Sequence, residues 1–270
     1  MVHPQQICAP STARGHKLPK IVVTFAVRSE FAAWRRMSRF ERVSSRDDTI
    51  YLMRTGDAEV YAVITGIGMR SVRSDLQRLL AESVDLCIAS GLAGSLTKQH
   101  RAGSILVAKA VRTSGPDRAI HSDKSLVHGA NECGAASVDF FCTSDVVMNL
   151  QAEKSRLREI ADAVEMESFQ IFSQAAKHGV PVVAVRAISD AADTNLPIDF
   201  NRIVDNRGQI SWRLAFGEIA KAPTRLPQLI RFGFESARAA RNLACFLDRY
   251  IKFLIGGAEL PFLVARTEAK

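Results

Sequence analysis

The sequence predicts an α/β fold, a three-layer αβα sandwich in which helices cover both faces of a mixed, twisted central sheet, with a helical extension at the C-terminal end. Three observations lead there. Short β-branched runs trade places with segments of helical apolar spacing from Lys20 to about Asp193. Glycine-marked turns separate them. After about Asp205 the strand-like runs stop, and stretches rich in Arg, Leu and Phe take over.

Taken in order, KIVVTFAV reads as a first strand and SEFAAWRRMSRF as the helix after it. TIYLMRTG and EVYAVITG form a hairpin-like pair across a Gly-Asp turn. The turn TGIGMRS leads to a helix over Ser71 to Ser83, then to the strands DLCIASGLAG and SILVAKAVRT. Gly115 to Ala136 is polar and weakly patterned, so loops are expected there. VDFFCTSDVVM resumes a strand and QAEKSRLREI a helix. Ala163 to Lys177 has helical spacing and ends at a His178-Gly179 stop before Pro181, after which VVAVRAI runs as a strand into Ser189-Asp190. No repeat or linker divides residues 20–204. Residues 1–19 are read as a disordered arm, and 205–270 as an extension of two helices broken by Pro223 and Pro227, packed on or appended to the core.

Composition narrows the function classes. The chain of 270 residues is 47% hydrophobic and 24% charged, enough for a sizeable core. The N-terminal MVHPQQICAPSTARGHK lacks the apolar run of a secretory signal. FLIGGAELPFLVA, interrupted by Glu259 and Pro261, is well short of the ~20 residues of a spanning helix. Five scattered cysteines without metal-ligand spacing read as reduced thiols in a cytoplasmic protein, with no metal and no cofactor expected. The net charge is +8, and residues 202–270 hold twelve Lys/Arg against six Asp/Glu. No zinc finger, RNP-like aromatic pair or helix-turn-helix pattern accompanies that charge, so nucleic acid is not an expected partner.

Three carboxylates can converge at one rim of the sheet: Glu30 just after the first strand, Glu167 in the helix before the last core strand, and Asp190 at the end of that strand. Each also has a plain structural reading. Asp190 could cap a helix starting at Ala191, and Glu30 could be a solvated first-turn acid favoured by the helix dipole. On the helix expected over Ala163 to Lys177, Glu165 and Glu167 would lie about 200° apart, so only one could face a site. Arg186, inside an apolar strand, is costly to bury alone and should pair with one of them. His178 reads as a favourable charge at a helix C-terminus. The glycines of TGIGMRS and SGLAGS fall short of a dinucleotide fingerprint.

Taken together, FAVRSEF, TGIGMRSV, SGLAGSL with RAGSILVAKAV, CTSDVVM, and ADAVEMES with VRAISDAAD resemble the purine nucleoside phosphorylase and methylthioadenosine/adenosylhomocysteine nucleosidase superfamily, from Lys20 to about Asp193. The resemblance implies cleavage of the N-glycosidic bond of a purine nucleoside, with a 5′-substituted adenosine as substrate and adenine as product. By position, Asp190 would be the general acid to purine N7, aided by Ser189. Such an acid has to keep its proton near neutral pH, for which burial at the strand end is the expected device. Glu167, with Met166 packed against it, would hold the ribose hydroxyls. Glu30 would activate water. Val147 and Met148 would line the purine face, and Gly91, Leu92, Ala93 and Gly94 would also bind the substrate. Relatives of this kind are homo-oligomers.

Two departures bear on the nucleophile. Leu92 replaces the small hydroxyl residue usual after the first glycine of SGLAGS, and Ala89 stands where the phosphorylases place an arginine. Both argue against the usual phosphate site, and Glu30 favours water, although Arg28, Arg70 or Arg73 could meet phosphate by another route. The stretch from Asn206 to Leu243 resembles the tail of the hopanoid-associated nucleoside phosphorylases, which implies an adenosylhopane-type lipid substrate. That tail sets Leu226, Leu229, Ile230, Phe232 and Phe234 beside Arg225, Arg231 and Arg238. It could rest on an anionic membrane at the inner face, or pack on the core with its arginines in water. A non-catalytic purine nucleoside binder, and a peripheral membrane protein dominated by the tail, are the competing classes.

Overall fold

The computed structural model describes residues 18–43, 50–56, 58–69, 74–115, 118–204, 211–221 and 223–256. The arm read over 1–19 lies outside the described residues apart from Leu18 and Pro19. So do 205–210, where the extension was expected to begin.

In chain order the elements are β1 (Lys20–Phe25), α1 (Arg28–Met37), β2 (Glu41–Arg42), β3 (Ile50–Thr55), β4 (Ala58–Ile64), α2 (Ser74–Ala81), β5 (Leu86–Ser95), β6 (Ile105–Thr113) and β7 (Ala119–His121). They continue as α3 (Lys124–Glu132), β8 (Ala136–Thr143), α4 (Gln151–Leu157), β9 (Ala163–Glu165), α5 (Ser168–Lys177), β10 (Val182–Asp190), α6 (Trp212–Lys221) and α7 (Leu226–Gly256). The sheet is mixed. β4, β1, β5 and β10 pair in parallel, while β3 with β4, β5 with β9 and β10 with β6 pair antiparallel. β5, β10, β6, β8 and β9 also pair in a closed circuit, so half of the sheet curls round on itself.

Strand alternation sorts the core into two layers. Val23 and Phe25 of β1 with Val183 and Val185 of β10 face a cluster that includes Phe31 and Trp34 of α1, Leu126 of α3 and Leu243 and Leu247 of α7. Val22, Ala184 and Ile188 face the opposite side, against Leu76 and Leu80 of α2 and Ile171 and Phe172 of α5. Helices thus cover both faces, as the alternation predicts. The C-terminal half of α7 belongs to the first layer: Tyr250 donates to the carbonyl of Leu126 at 2.6 Å, and Asn242 to that of Gly103 at 2.9 Å. Its N-terminal half is open, with Ile230 and Phe234 exposed. Pro227 does not break this helix, because it falls in the first turn, where no N–H is needed. Among the described residues no helix is long and apolar enough to cross a membrane.

Two expectations are corrected. Gly115 to Ala136 is not all loop, since it holds β7 and α3. Helix α3 is capped by Asp123, whose carboxylate accepts from the N–H groups of Ser125 and Leu126. Only Leu126, Gly129 and Ala130 of it are buried, a stripe too narrow and small to stand out as a pattern. The helix expected over Ala163 to Lys177 begins only at Ser168. Ala163 to Glu165 is strand β9 instead, paired with Gly94 and Ser95 on one side and with Phe141 to Thr143 on the other. Here the gap between two long strands overrides local propensity.

Candidate active site

At the carboxyl ends of β1, β5 and β10 lies a cavity of about 270 Å³. Its wall includes Glu30 from the start of α1, Leu92, Ala93 and Gly94 of β5, and Ser189 and Asp190 of β10. Glu165, Met166 and Glu167 from the end of β9, and Val147 and Met148 from the loop after β8, complete that side. That loop is fastened across the cavity. Asn201 accepts from the Val147 N–H at 2.8 Å and donates to its carbonyl at 3.0 Å. Of the residues that the resemblance assigns to the site, Gly91 alone does not line the cavity, although it shapes it. With φ at +146°, a Cβ there would lie 2.4 Å from Arg186 Nη1 and 3.2 Å from Glu30 Oε2, so the missing side chain is what lets these two groups approach.

Behind the cavity wall sits one cation. Arg186 is fully buried in β10, a strand with no exposed residue. Its guanidinium pairs with Glu165, donates to the carbonyl of Ser90 and, at 2.9 Å, to the Ser168 hydroxyl, and lies 3.6 Å from Glu167 Oε2. Glu165 is fully engaged: it also accepts from the Thr143 hydroxyl and from the N–H groups of Glu167 at 3.0 Å and Ser168 at 2.8 Å. Glu165 and Glu167 sit on a strand end and the following cap rather than on one helix, yet only one of them presents its carboxyl to the site: the Glu165 side chain has no exposure and is the one paired on Arg186.

Glu167 accepts from the Gly68 N–H at 2.9 Å. Burial pushes its carboxyl up to about 8, against the opposing pull of Arg186 and with Glu165 adding to the rise. Glu30 is not the solvated first-turn acid of the plain reading, being only 7% exposed. Its Oε2 accepts from the Ala26 and Val27 N–H groups at 2.9 and 3.4 Å, and its Oε1 from that of Leu92 at 3.0 Å. Burial raises its carboxyl above the ordinary range, with Arg186 and these backbone donors opposing.

Asp190 ends β10 and caps no helix, because turn and coil follow it. Ser189 Oγ lies 2.6 Å from its Oδ1. On the other oxygen sits Lys154 of α4, only 2% exposed, which pairs with Asp190 and donates to the carbonyls of Ala191 at 2.9 Å and Thr194 at 3.2 Å. Sequence reasoning missed this lysine. A signal existed, since Lys154, Leu157 and Ala161 recur at helical spacing and are all buried, so the lysine sits on an apolar stripe. Also missed were the apolar residues that close the far side, among them Phe200, Val204 and Phe232.

Residues 20–214 match the family model described as the phosphorylase superfamily. Among solved structures the chain is similar to a futalosine hydrolase mutant of Helicobacter pylori, with 21% identity and a TM-score of 0.66 over 87% of this chain and 99% of that one. It is also similar to the Campylobacter jejuni 5′-methylthioadenosine/S-adenosylhomocysteine nucleosidase, at 18% identity and a TM-score of 0.66 over 87% and 99%. A third is a Helicobacter pylori nucleosidase mutant with 5′-methylthioadenosine in its active site, at 21% identity and a TM-score of 0.64 over 87% and 98%. At these identities the likeness speaks to the fold.

Proposed function

The chain belongs to the phosphorylase superfamily, and we propose that it cleaves the N-glycosidic bond of a purine nucleoside with water as the attacking group. One observation carries the choice of water. The N–H groups of Ala26, Val27 and Leu92, with Arg186 behind them, form the kind of cradle that would hold a compact anion, and the carboxylate of Glu30 already fills it. A phosphate there would face a buried carboxylate, whereas a water beside Glu30 would find a base.

In this reading Asp190 gives a proton to N7 of the base while Ser189 holds the carboxyl in place. Bond breaking builds positive charge on the ribose and negative charge on the purine, so protonation turns the base into a better leaving group. Glu167 holds the ribose hydroxyls, and Glu30 stands near the cationic sugar. Glu30 takes the proton of the incoming water, a role suited to a carboxyl raised by burial. Met166, Val147 and Met148 give the base an apolar wall.

The substrate class is a 5′-substituted adenosine. Support comes from the neighbour that holds 5′-methylthioadenosine and from the apolar far wall of Phe200, Val204 and Phe232. A larger apolar 5′-substituent, as on an adenosylhopane-type lipid, would extend along this wall, which Phe232 joins from α7; the exposed Ile230 and Phe234 lie about 200° round that helix from Phe232, on the face away from the cavity.

The test is base release from methylthioadenosine, adenosylhomocysteine, adenosine and inosine, each with and without phosphate. Adenine release that does not depend on phosphate is expected. Phosphate-dependent release would refute the water reading, and an Asp190→Asn variant with full activity would refute the mechanism.

A further inference from the structure

Lys154 belongs to none of the roles above, yet it is the one lysine among the described residues with almost no exposure. A lone ammonium in such a place is costly unless it is paired and fully hydrogen-bonded. Lys154 meets that requirement with three partners, the Asp190 carboxylate and the carbonyls of Ala191 and Thr194. All three lie on one short segment, the last residue of β10 and the turn that follows it. The lysine itself comes from α4, 36 residues earlier in the chain.

We propose that Lys154 is a positioning residue for the reaction: from α4 it fixes the Asp190 carboxyl against the turn that follows and stabilises the carboxylate left when the acid has given its proton to the purine. The inference rests on the assignment of Asp190 as the general acid. In the step, the Asp190 O–H bond breaks as the purine N–H bond forms, and the electron pair of the C1′–N9 bond passes to the base. The carboxylate that remains is held by the Lys154 ammonium, which loses no proton. The cation that pairs with the ionised Asp190 of the free protein also meets the carboxylate restored when Asp190, having taken a proton from solvent with the purine bound, passes that proton to the base, so its effect should fall on kcat rather than on KM. Ser189 on the other oxygen completes the clamp.

A double-mutant cycle on the full-length protein tests this, with base release as the readout. Asp190→Asn is expected to lower kcat on the order of 100-fold or more, and Lys154→Met roughly 10-fold or more with KM nearly unchanged. In the Asp190→Asn background, Lys154→Met should cost little further, because the group it acts through is already gone. Lys154→Arg, which keeps the charge, should recover most of kcat. Should Lys154→Met fail to fold, Lys154→Gln takes its place in the same cycle. Losses that multiply in the double variant, a loss confined to KM, or no rescue by arginine would assign Lys154 to structure alone and overturn the proposal. A wild-type protein that releases no base, or an Asp190→Asn variant at full rate, would instead refute the glycosidase reading itself.

Discussion

Replacing Glu167 with Gln should stabilise the protein, and by an amount that depends on pH. Glu167 is 5% exposed, and burial pushes its carboxyl up to about 8 from an ordinary 4.5. Once the chain unfolds, the group ionises near its ordinary value. Between these two limits the folded state binds the extra proton, so the contribution of Glu167 is fully present below about pH 4.5 and is lost as pH rises toward 8. Each pKa unit corresponds to about 1.4 kcal/mol. The lost stability is thus about 1 kcal/mol at pH 5 and about 3 kcal/mol at pH 7. Glutamine keeps the shape and still accepts from the Gly68 N–H, but carries no such penalty. Urea unfolding of both proteins at pH 5, 6, 7 and 8 reads the difference directly. Glu30 titrates in both, and its repulsion with an ionised Glu167 is part of what the substitution removes. The expected result is a small advantage of Glu167→Gln at pH 5 that grows to a few kcal/mol at pH 7. A difference that stays flat across this range, or a variant less stable than wild type at pH 7, would refute the argument that burial governs this carboxyl.

Three further outcomes follow from the same geometry. Arg186→Met leaves Glu165, Glu167 and Glu30 without their shared cation and should cost about 3–5 kcal/mol at pH 7; thermal unfolding should show the loss shrinking at pH 5, as the carboxyls take up protons. Gly91→Ala forces a Cβ to within 2.4 Å of Arg186 Nη1 at a φ of +146°, and should lower stability by about 1–3 kcal/mol and abolish base release. Gly94→Ala comes no closer than 3.0 Å, to Asp190 Oδ2, with Val164 Cγ1 at 3.5 Å, so the loss in its melting temperature should be the smaller of the two. Tyr250→Phe removes the buried bond from α7 to the carbonyl of Leu126 and should cost about 1–3 kcal/mol in urea unfolding.

The sequence by itself determined the alternation of strands and helices, the hairpin of β3 and β4, and the placement of Glu30 just after the first strand and Asp190 at the end of the last, whereas it put Glu167 inside a helix. These follow from patterns of a few residues: side-chain alternation, helical spacing, and turns at Gly and Pro. A polar residue at the end of an apolar run also belongs to this kind of signal. The tertiary structure decided what such local patterns cannot carry. β9 is a strand because β5 and β8 leave a gap of its width, not because Ala163 to Glu165 prefer that state. Glu165 is turned back onto Arg186 while Glu167 keeps an edge on the site, because the chain passes there from a strand end into a cap. The Leu92 N–H belongs to Glu30 across 62 residues and Gly68 to Glu167 across 99, pairings set by the order in which strands join the sheet. Lys154 is the plainest case. Its stripe of buried neighbours marks a side chain turned inward, but only the packing of α4 against the end of β10 shows that what waits there is the carboxylate of Asp190.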